Sequence, residues 1–339
     1  MIVNWFPFSL AFNHTFTVAA FSRTHTPIVI ISIESNGLIA YGEACIPPYL
    51  GESQASVIDF FKLVDFNQLS FDEPISYFLS YVDRIDLGNN AAKAAIDIAV
   101  HDLWGKLNNC RTISLLKGTE STPLSSFTIG IDELPIMIQK TREAHELGFR
   151  VLKLKIGTKD DMTLVDTLLK EWAYPFSVDV NQGWKDRYFA HEMSCFLAEK
   201  KALFIEQPFA KEKIDDSAWL TQHSPIPIIA DESIKRLDDL KRFGKAFHGT
   251  NVKLMKSTGI YEAVQMIDYA KQEKLKLVLG CMAESSCATS AAAQLASKVD
   301  WVDLDAPYLI KNDPFNGMKI INGELVLNTL NGNGVSYLS

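Results

Sequence analysis

From about residue 120 onward, short runs of β-type apolar residues alternate with amphipathic stretches. The runs fall near 125–130, 150–156, 176–180, 203–206, 227–231, 250–254, 276–280 and 301–305, each the length of a buried strand. Between them, segments such as LPIMIQKTREAHELG and IYEAVQMIDYAKQEK space their apolar residues at the helical period. Eight strands separated by helices fit a closed parallel α/β barrel better than an open sheet. The first third has a different rhythm and reads as mixed α+β. TPIVIISIESNGLIAYGEACI is two strands around Ser35-Asn36-Gly37, a hairpin signal. SQASVIDFFKLV and NNAAKAAIDIAVHDLWGKL carry helical spacing. The pattern predicts an N-terminal α+β domain over 1–120, a barrel over 121–310 and a tail over 311–339 that returns to the first domain.

Composition narrows the class. The chain has 339 residues, 47% of them hydrophobic, enough for a large core. A net charge of -8 argues against a general nucleic-acid surface, though not against a small anionic substrate. The cysteines, Cys45, Cys110, Cys195, Cys281 and Cys287, are odd in number and lack zinc-site spacing, which suggests a reduced cytoplasmic protein. No signal peptide and no apolar span of about 20 residues is evident, so no membrane role is expected.

The chemistry concentrates at the strand ends, where barrels of this kind place their working sites. In RVLKLKIG, Leu152, Leu154 and Ile156 share one face, and Lys153 and Lys155 share the other. Lys155 ends its strand. Asp179 in SVDVNQGW, Glu206 in LFIEQP, Asp231 in PIIADES and Lys253 in TNVKLMKSTG follow at successive strand ends, and VDLDAP adds Asp303 and Asp305. Three carboxylates from adjacent strands make an oxygen-only site suited to Mg²⁺, with Mn²⁺ as a substitute. Any one of these acids alone could equally be an ordinary strand-end ion pair. Lys155 and Lys253 flank the acids and would face each other across the metal, as a base and an acid on opposite sides of one carbon. At about 7 Å, Lys153 would repel Lys155 by about 2.4 kcal/mol at an effective dielectric of about 20, making it a tuner of Lys155. Lys256 falls outside the strand phase and is expected in a loop or at a helix start.

These motifs resemble the enolase superfamily, in its muconate-lactonizing-enzyme-like branch. KLKIG resembles the Lys-x-Lys strand, DVNQGW, IEQP and ADES the three metal strands, and NVKLMKSTG the second lysine strand. The resemblance covers essentially the whole chain. It implies a modified TIM barrel of (β/α)7β form under an α+β capping domain, one Mg²⁺ on Asp179, Glu206 and Asp231, and Lys155 and Lys253 as the acid/base pair. DLDAP resembles the Asp-x-Asp of dipeptide epimerases, in which Asp303 and Asp305 would hold a substrate ammonium. A salt bridge from one of them to a barrel lysine is the plainer alternative.

The activity implied is a 1,1-proton transfer at the α-carbon of the C-terminal residue of Ala-Xaa dipeptides, with cell-wall peptides as one source. Thr128, Cys281 and Met282 resemble substrate-lining positions, with plain barrel packing as the alternative, and Lys153 is a candidate contact to the substrate carboxylate. A specificity loop over about 18–28 would place Arg23 near an acidic side chain, favouring Ala-Glu, while Ala-Ala and Ala-hydrophobic substrates stay open. A related cycloisomerase, o-succinylbenzoate synthase or N-acylamino acid racemase, or a binding or scaffold barrel, are the alternatives. The sequence neither requires nor excludes a homo-oligomer.

Overall fold

The computed structural model describes residues 1–18, 21–158 and 160–338. The chain opens with a three-stranded antiparallel sheet of β1 (Ile2–Val18), β2 (Phe21–Ser35) and β3 (Leu38–Cys45). Asn36 and Gly37 join β2 to β3 with φ of 52° and 73°, the positive values that a two-residue hairpin turn needs. The segment expected as a loop over 18–28 is instead strand from Phe21 onward, paired to β1, while Ala19 and Ala20 lie outside the described residues. Its polar run Ser22–Thr26 lacks strand alternation. Pairing with β1 supplies the order that the local pattern does not.

Helices α1 (Gln54–Leu63), α2 (Ile75–Ile85) and α3 (Asn90–Leu107) complete this domain. α3 is rich in alanine and buried along most of its length, and it packs on β3 at very short range. A Cβ at Gly42 would collide with the Ala95 carbonyl, so only glycine allows that approach. A single turn, α4 (Thr112–Leu115), leads on toward the barrel.

The barrel strands are β4 (Phe127–Ile129), β5 (Leu152–Lys155), β6 (Phe176–Asp179), β7 (Ile205–Glu206), β8 (Ile228–Ala230), β9 (Gly249–Val252), β10 (Lys276–Gly280) and β11 (Trp301–Asp303). They pair in parallel and in chain order, and a bridge between Ser125 and Val302 joins the last strand to the first. Between the strands run α5 (Leu134–Glu146), α6 (Asp161–Leu168), α7 (Arg187–Glu199), α8 (Ile214–His223), α9 (Leu237–Phe243), α10 (Ile260–Gln272) and α11 (Ser286–Ala293). A short turn, α12 (Ala306–Leu309), follows β11. This is the (β/α)7β barrel that the pattern and the resemblance imply.

Two-residue periodicity explains how one strand serves both core and site. Outward residues such as Leu152, Leu154 and Val178 are fully buried in the large core cluster. Inward residues change character along the strand. Phe204 precedes Glu206, Ile229 precedes Asp231 and Trp301 precedes Asp303, each by two positions on the same face. Phe204, Ile229, Val278 and Trp301 pack together as a separate cluster inside the barrel. That apolar plug excludes water below the charged layer.

The tail adds β12 (Phe315–Asn316), β13 (Lys319–Ile321), β14 (Glu324–Val326) and β15 (Ser336–Tyr337). It touches the first domain: Tyr337 packs on Phe6 and Tyr41, and Asn333 N–H donates to Asp102 at 2.8 Å. Among the described residues, no helix is long and apolar enough to cross a membrane.

Candidate active site

Strand register brings the acids together. Lys155 pairs with Asp179, and Asp179 with Glu206, across β5, β6 and β7. Glu206 pairs with Ile229, so Asp231 stands two residues further on, just past the end of β8. Asp179, Glu206 and Asp231 are buried, and each offers a carboxylate oxygen within 4.8 Å of the others'. Three hard oxygen donors at that spacing fit a divalent cation such as Mg²⁺. Glu206 Oε2 also lacks a hydrogen-bond partner, although Lys153 Nζ lies 2.8 Å away. The contact is electrostatic and leaves a lone pair for a ligand.

Both candidate acid/base lysines reach this cluster. Lys155 Nζ lies 2.6 Å from Asp179 Oδ2, and Lys253 Nζ lies 2.7 Å from Asp231 Oδ2. They approach from opposite flanks of the acid-bearing strands and line one cavity of about 300 Å³. Burial works against the Lys253 charge, yet Asp231 and Tyr49 more than offset it and push its pKa well above the ordinary value. Burial would raise the Asp231 carboxyl, but Lys253 and Lys256 hold it well below its usual range.

Lys153 departs from expectation. It does not stand as a bare charge repelling Lys155. Its Nζ lies 2.8 Å from Asp303 Oδ2, 2.8 Å from Glu206 Oε2 and 3.2 Å from Asp179 Oδ2. Burial opposes its charge, but Asp303, Glu206 and Asp179 outweigh burial and raise its pKa well above normal. Three carboxylates therefore screen the repulsion that strand spacing alone would give.

Asp303 and Asp305 line the same cavity. Asp303 accepts from Lys153 and from Ser126 Oγ at 2.7 Å, so the barrel-lysine salt bridge is present. Asp305, beyond the end of β11, accepts from the Thr128 N–H at 2.6 Å. Burial and then the Asp303 charge push its carboxyl up to about 7. Among the described residues, Asp305 is in none of the ion pairs within 4.0 Å, so a cation arriving in the cavity would find it available.

Thr128, Cys281, Met282 and Arg23 also line the cavity. Arg23 donates to Thr26 Oγ1 at 3.0 Å, and its guanidinium sits 5.5 Å from the Phe12 ring. Cys281 Sγ donates to the Asp303 carbonyl at 3.2 Å, and Tyr49 donates to Met282 Sδ at 2.9 Å.

Three positioning residues escape the sequence pattern. Lys256, expected in a loop or helix start, is fully buried in the turn after β9. Its Nζ donates at 2.7 Å to Asp231 Oδ1, the Asp231 carbonyl and the Asn251 carbonyl. Gln207 Oε1 accepts from Asp231 N–H at 2.8 Å, and Asn251 Nδ2 donates to Glu206 Oε1 at 2.8 Å. The strand motifs contain both: Gln207 directly follows Glu206, and Asn251 precedes Lys253 by two positions on the same strand face, which is the signal that would have found them.

Comparison with known proteins places this arrangement. Residues 137–338 match the domain described as enolase C-terminal domain-like, and residues 8–117 match the mandelate racemase / muconate lactonizing enzyme N-terminal domain. This chain belongs to the enolase superfamily. An L-Ala-D/L-Glu epimerase from Bacteroides thetaiotaomicron is 46% identical over 336 residues, covering 99% of this chain and 88% of its own.

Two solved structures share the whole enolase-superfamily fold with this chain. A dipeptide epimerase from Enterococcus faecalis, complexed with Mg and L-Leu-L-Tyr, superposes with a TM-score of 0.91 at 29% identity, covering 99% of each chain. A dipeptide epimerase from Cytophaga hutchinsonii, complexed with Mg and D-Ala-L-Val, gives 0.92 at 25% identity, covering 99% of this chain and 95% of its own.

Proposed function

We propose that this enolase-superfamily chain is a Mg²⁺-dependent dipeptide epimerase, with Mn²⁺ as a substitute ion. It inverts the α-carbon of the C-terminal residue in Ala-Xaa dipeptides, with Ala-Glu preferred. The observation that carries this reading is the shared cavity. Lys155 and Lys253 enter it from opposite flanks of the acid triad, while Asp303 and Asp305 form another wall.

In this reading Asp303 and Asp305 hold the ammonium of the N-terminal residue. Lys153 draws the terminal carboxylate toward the acid triad. When bound there, a divalent cation supplies the positive charge that the triad now draws from lysines, and it stabilises the negative charge developing on the substrate carboxylate. One lysine, as the neutral amine, takes the α-proton from one face, and the C–H electron pair passes toward the carboxylate. The other lysine, as the ammonium, returns a proton to the opposite face. The two exchange roles for the other epimer.

Thr128, Cys281 and Met282 shape the space for the substrate backbone. Arg23 meets the acidic side chain, in keeping with the name of the 46% identical relative. The same proposal assigns 1–120 to the cap, 121–310 to the barrel and 311–339 to the returning tail. It places the protein in the cytoplasm, where its free cysteines stay reduced.

A dipeptide library incubated in D₂O with enzyme and Mg²⁺ tests the proposal. Mass spectrometry should find one deuterium gained in Ala-Xaa members, Ala-Glu fastest, and no gain in any member contradicts it. Asp303→Asn separates this reading from the related cycloisomerase, o-succinylbenzoate synthase and N-acylamino acid racemase activities, whose substrates carry no free ammonium. Dipeptide exchange should fall sharply in that variant.

A further inference from the structure

The substrate cavity has a neighbour. A second chamber, of about 110 Å³, lies between the far end of β1, strand β4 and helices α5 and α12. Phe16, Thr128 and Leu309 line both chambers, so these residues form the partition between them. The far chamber has Phe12, Phe127 and Tyr308 in its walls. Lys140, Glu143 and His14 also border it; Asp132 neutralises Lys140 at 3.0 Å, and Glu143 lies 3.4 Å from His14 on the exposed edge. The aromatic walls on the inner side of the chamber are therefore suited to an apolar group.

The partition stands beside Asp305. The Thr128 N–H donates to Asp305 Oδ2, and Leu309 follows Asp305 by four residues at the end of α12, one helical turn on. This inference rests on the function proposed above, in which Asp303 and Asp305 hold the substrate ammonium. The carbon bonded to that ammonium carries the N-terminal side chain, so that side chain projects close to the partition.

We infer that Phe16, Thr128 and Leu309 set the size of the N-terminal residue this enzyme accepts. An alanine methyl fits in front of them. A branched side chain meets a wall, with room for it only on the far side. A dry cavity of about 150 Å³ takes a benzene ring. The chamber of about 110 Å³ is thus scaled to a side chain of valine or leucine size. Selection is steric, and removing the wall should relax it.

The test compares kcat/KM for L-Ala-L-Glu and L-Leu-L-Glu in wild type, Leu309→Ala and Leu309→Val, each with saturating Mg²⁺. Wild type should prefer the alanyl substrate by at least about tenfold, within the range steric pockets achieve. Leu309→Ala should shrink that preference about tenfold or more by a gain on L-Leu-L-Glu, with Leu309→Val intermediate. If Leu309→Ala fails to fold by thermal melting, the valine variant carries the comparison.

A folded variant that turns over L-Ala-L-Glu but gains nothing on L-Leu-L-Glu overturns the inference. So does a wild type that uses both substrates equally. Absence of turnover of either dipeptide by wild type strikes the epimerase reading itself, and this inference falls with it.

Discussion

At the scale of single residues, the site depends on side chains that hold other side chains. Lys256 ties the Asp231 carboxylate to the backbone carbonyls of Asp231, Ile234 and Asn251. Replacing it with methionine keeps the volume and removes the tether. Mg²⁺ affinity should fall about 10–100-fold, as when a partner orienting a metal ligand is lost, and titration calorimetry would measure it. Unchanged affinity would show that Asp231 needs no such support.

Asp305 makes a second prediction at this scale. Its carboxyl is raised to about 7, first by burial and then by Asp303. Below that pH it is protonated before substrate arrives, so binding an ammonium must expel a proton. KM for L-Ala-L-Glu should therefore climb as pH falls below about 7, by up to about tenfold per pH unit. A KM flat across that range contradicts the assignment of Asp305 to the ammonium. The strand-phase residues were legible in sequence because a two-residue period and a barrel rim dictate where they go. Lys256 was not, because a turn after β9 folds it back beneath Asp231, and no periodicity reports that.

At the scale of elements, β3 fastens the cap to the loop after β10. Glu43 accepts from Ser285 through both carboxylate oxygens, Oε1 from the backbone N–H at 3.0 Å and Oε2 from the hydroxyl. Ser285 Oγ in turn caps α11 by accepting from Cys287 N–H. Two residues on, Cys45 Sγ donates to the Ala283 carbonyl at 3.2 Å. Burial pushes the Glu43 carboxyl up to about 8, against the lowering effect of Ser285.

A raised folded-state pKa means that the folded chain holds a proton the unfolded chain has released. The destabilising contribution is absent below the ordinary glutamate range and grows as pH rises from there to about 8. Glu43→Gln should flatten that part of the stability profile, measured as Tm against pH beside wild type. Parallel profiles would contradict the assignment. Gly42→Ala, one position earlier, should destabilise by about 1–3 kcal/mol in denaturant unfolding, because the Ala95 carbonyl cannot retreat from the new Cβ. The hairpin, barrel strands and named helices were readable from periodicity and turn chemistry. The arm beginning at Phe21 was not, because its order comes from pairing with β1.

At the scale of the whole molecule, the barrel turns strand order into site geometry. An apolar plug closes its interior, a charged layer sits above, and the cap's β3 and Tyr49 hold the loop that walls the cavity. The central claim is that Lys155 and Lys253 serve opposite faces of one carbon. It is tested most directly by incubating Lys155→Ala and Lys253→Ala with each epimer of the Ala-Glu dipeptide in D₂O and Mg²⁺, following α-deuteration and epimer ratio by NMR. The account predicts no interconversion of epimers by either variant, with any residual exchange confined to opposite epimers in the two. Interconversion persisting after loss of either lysine would contradict it.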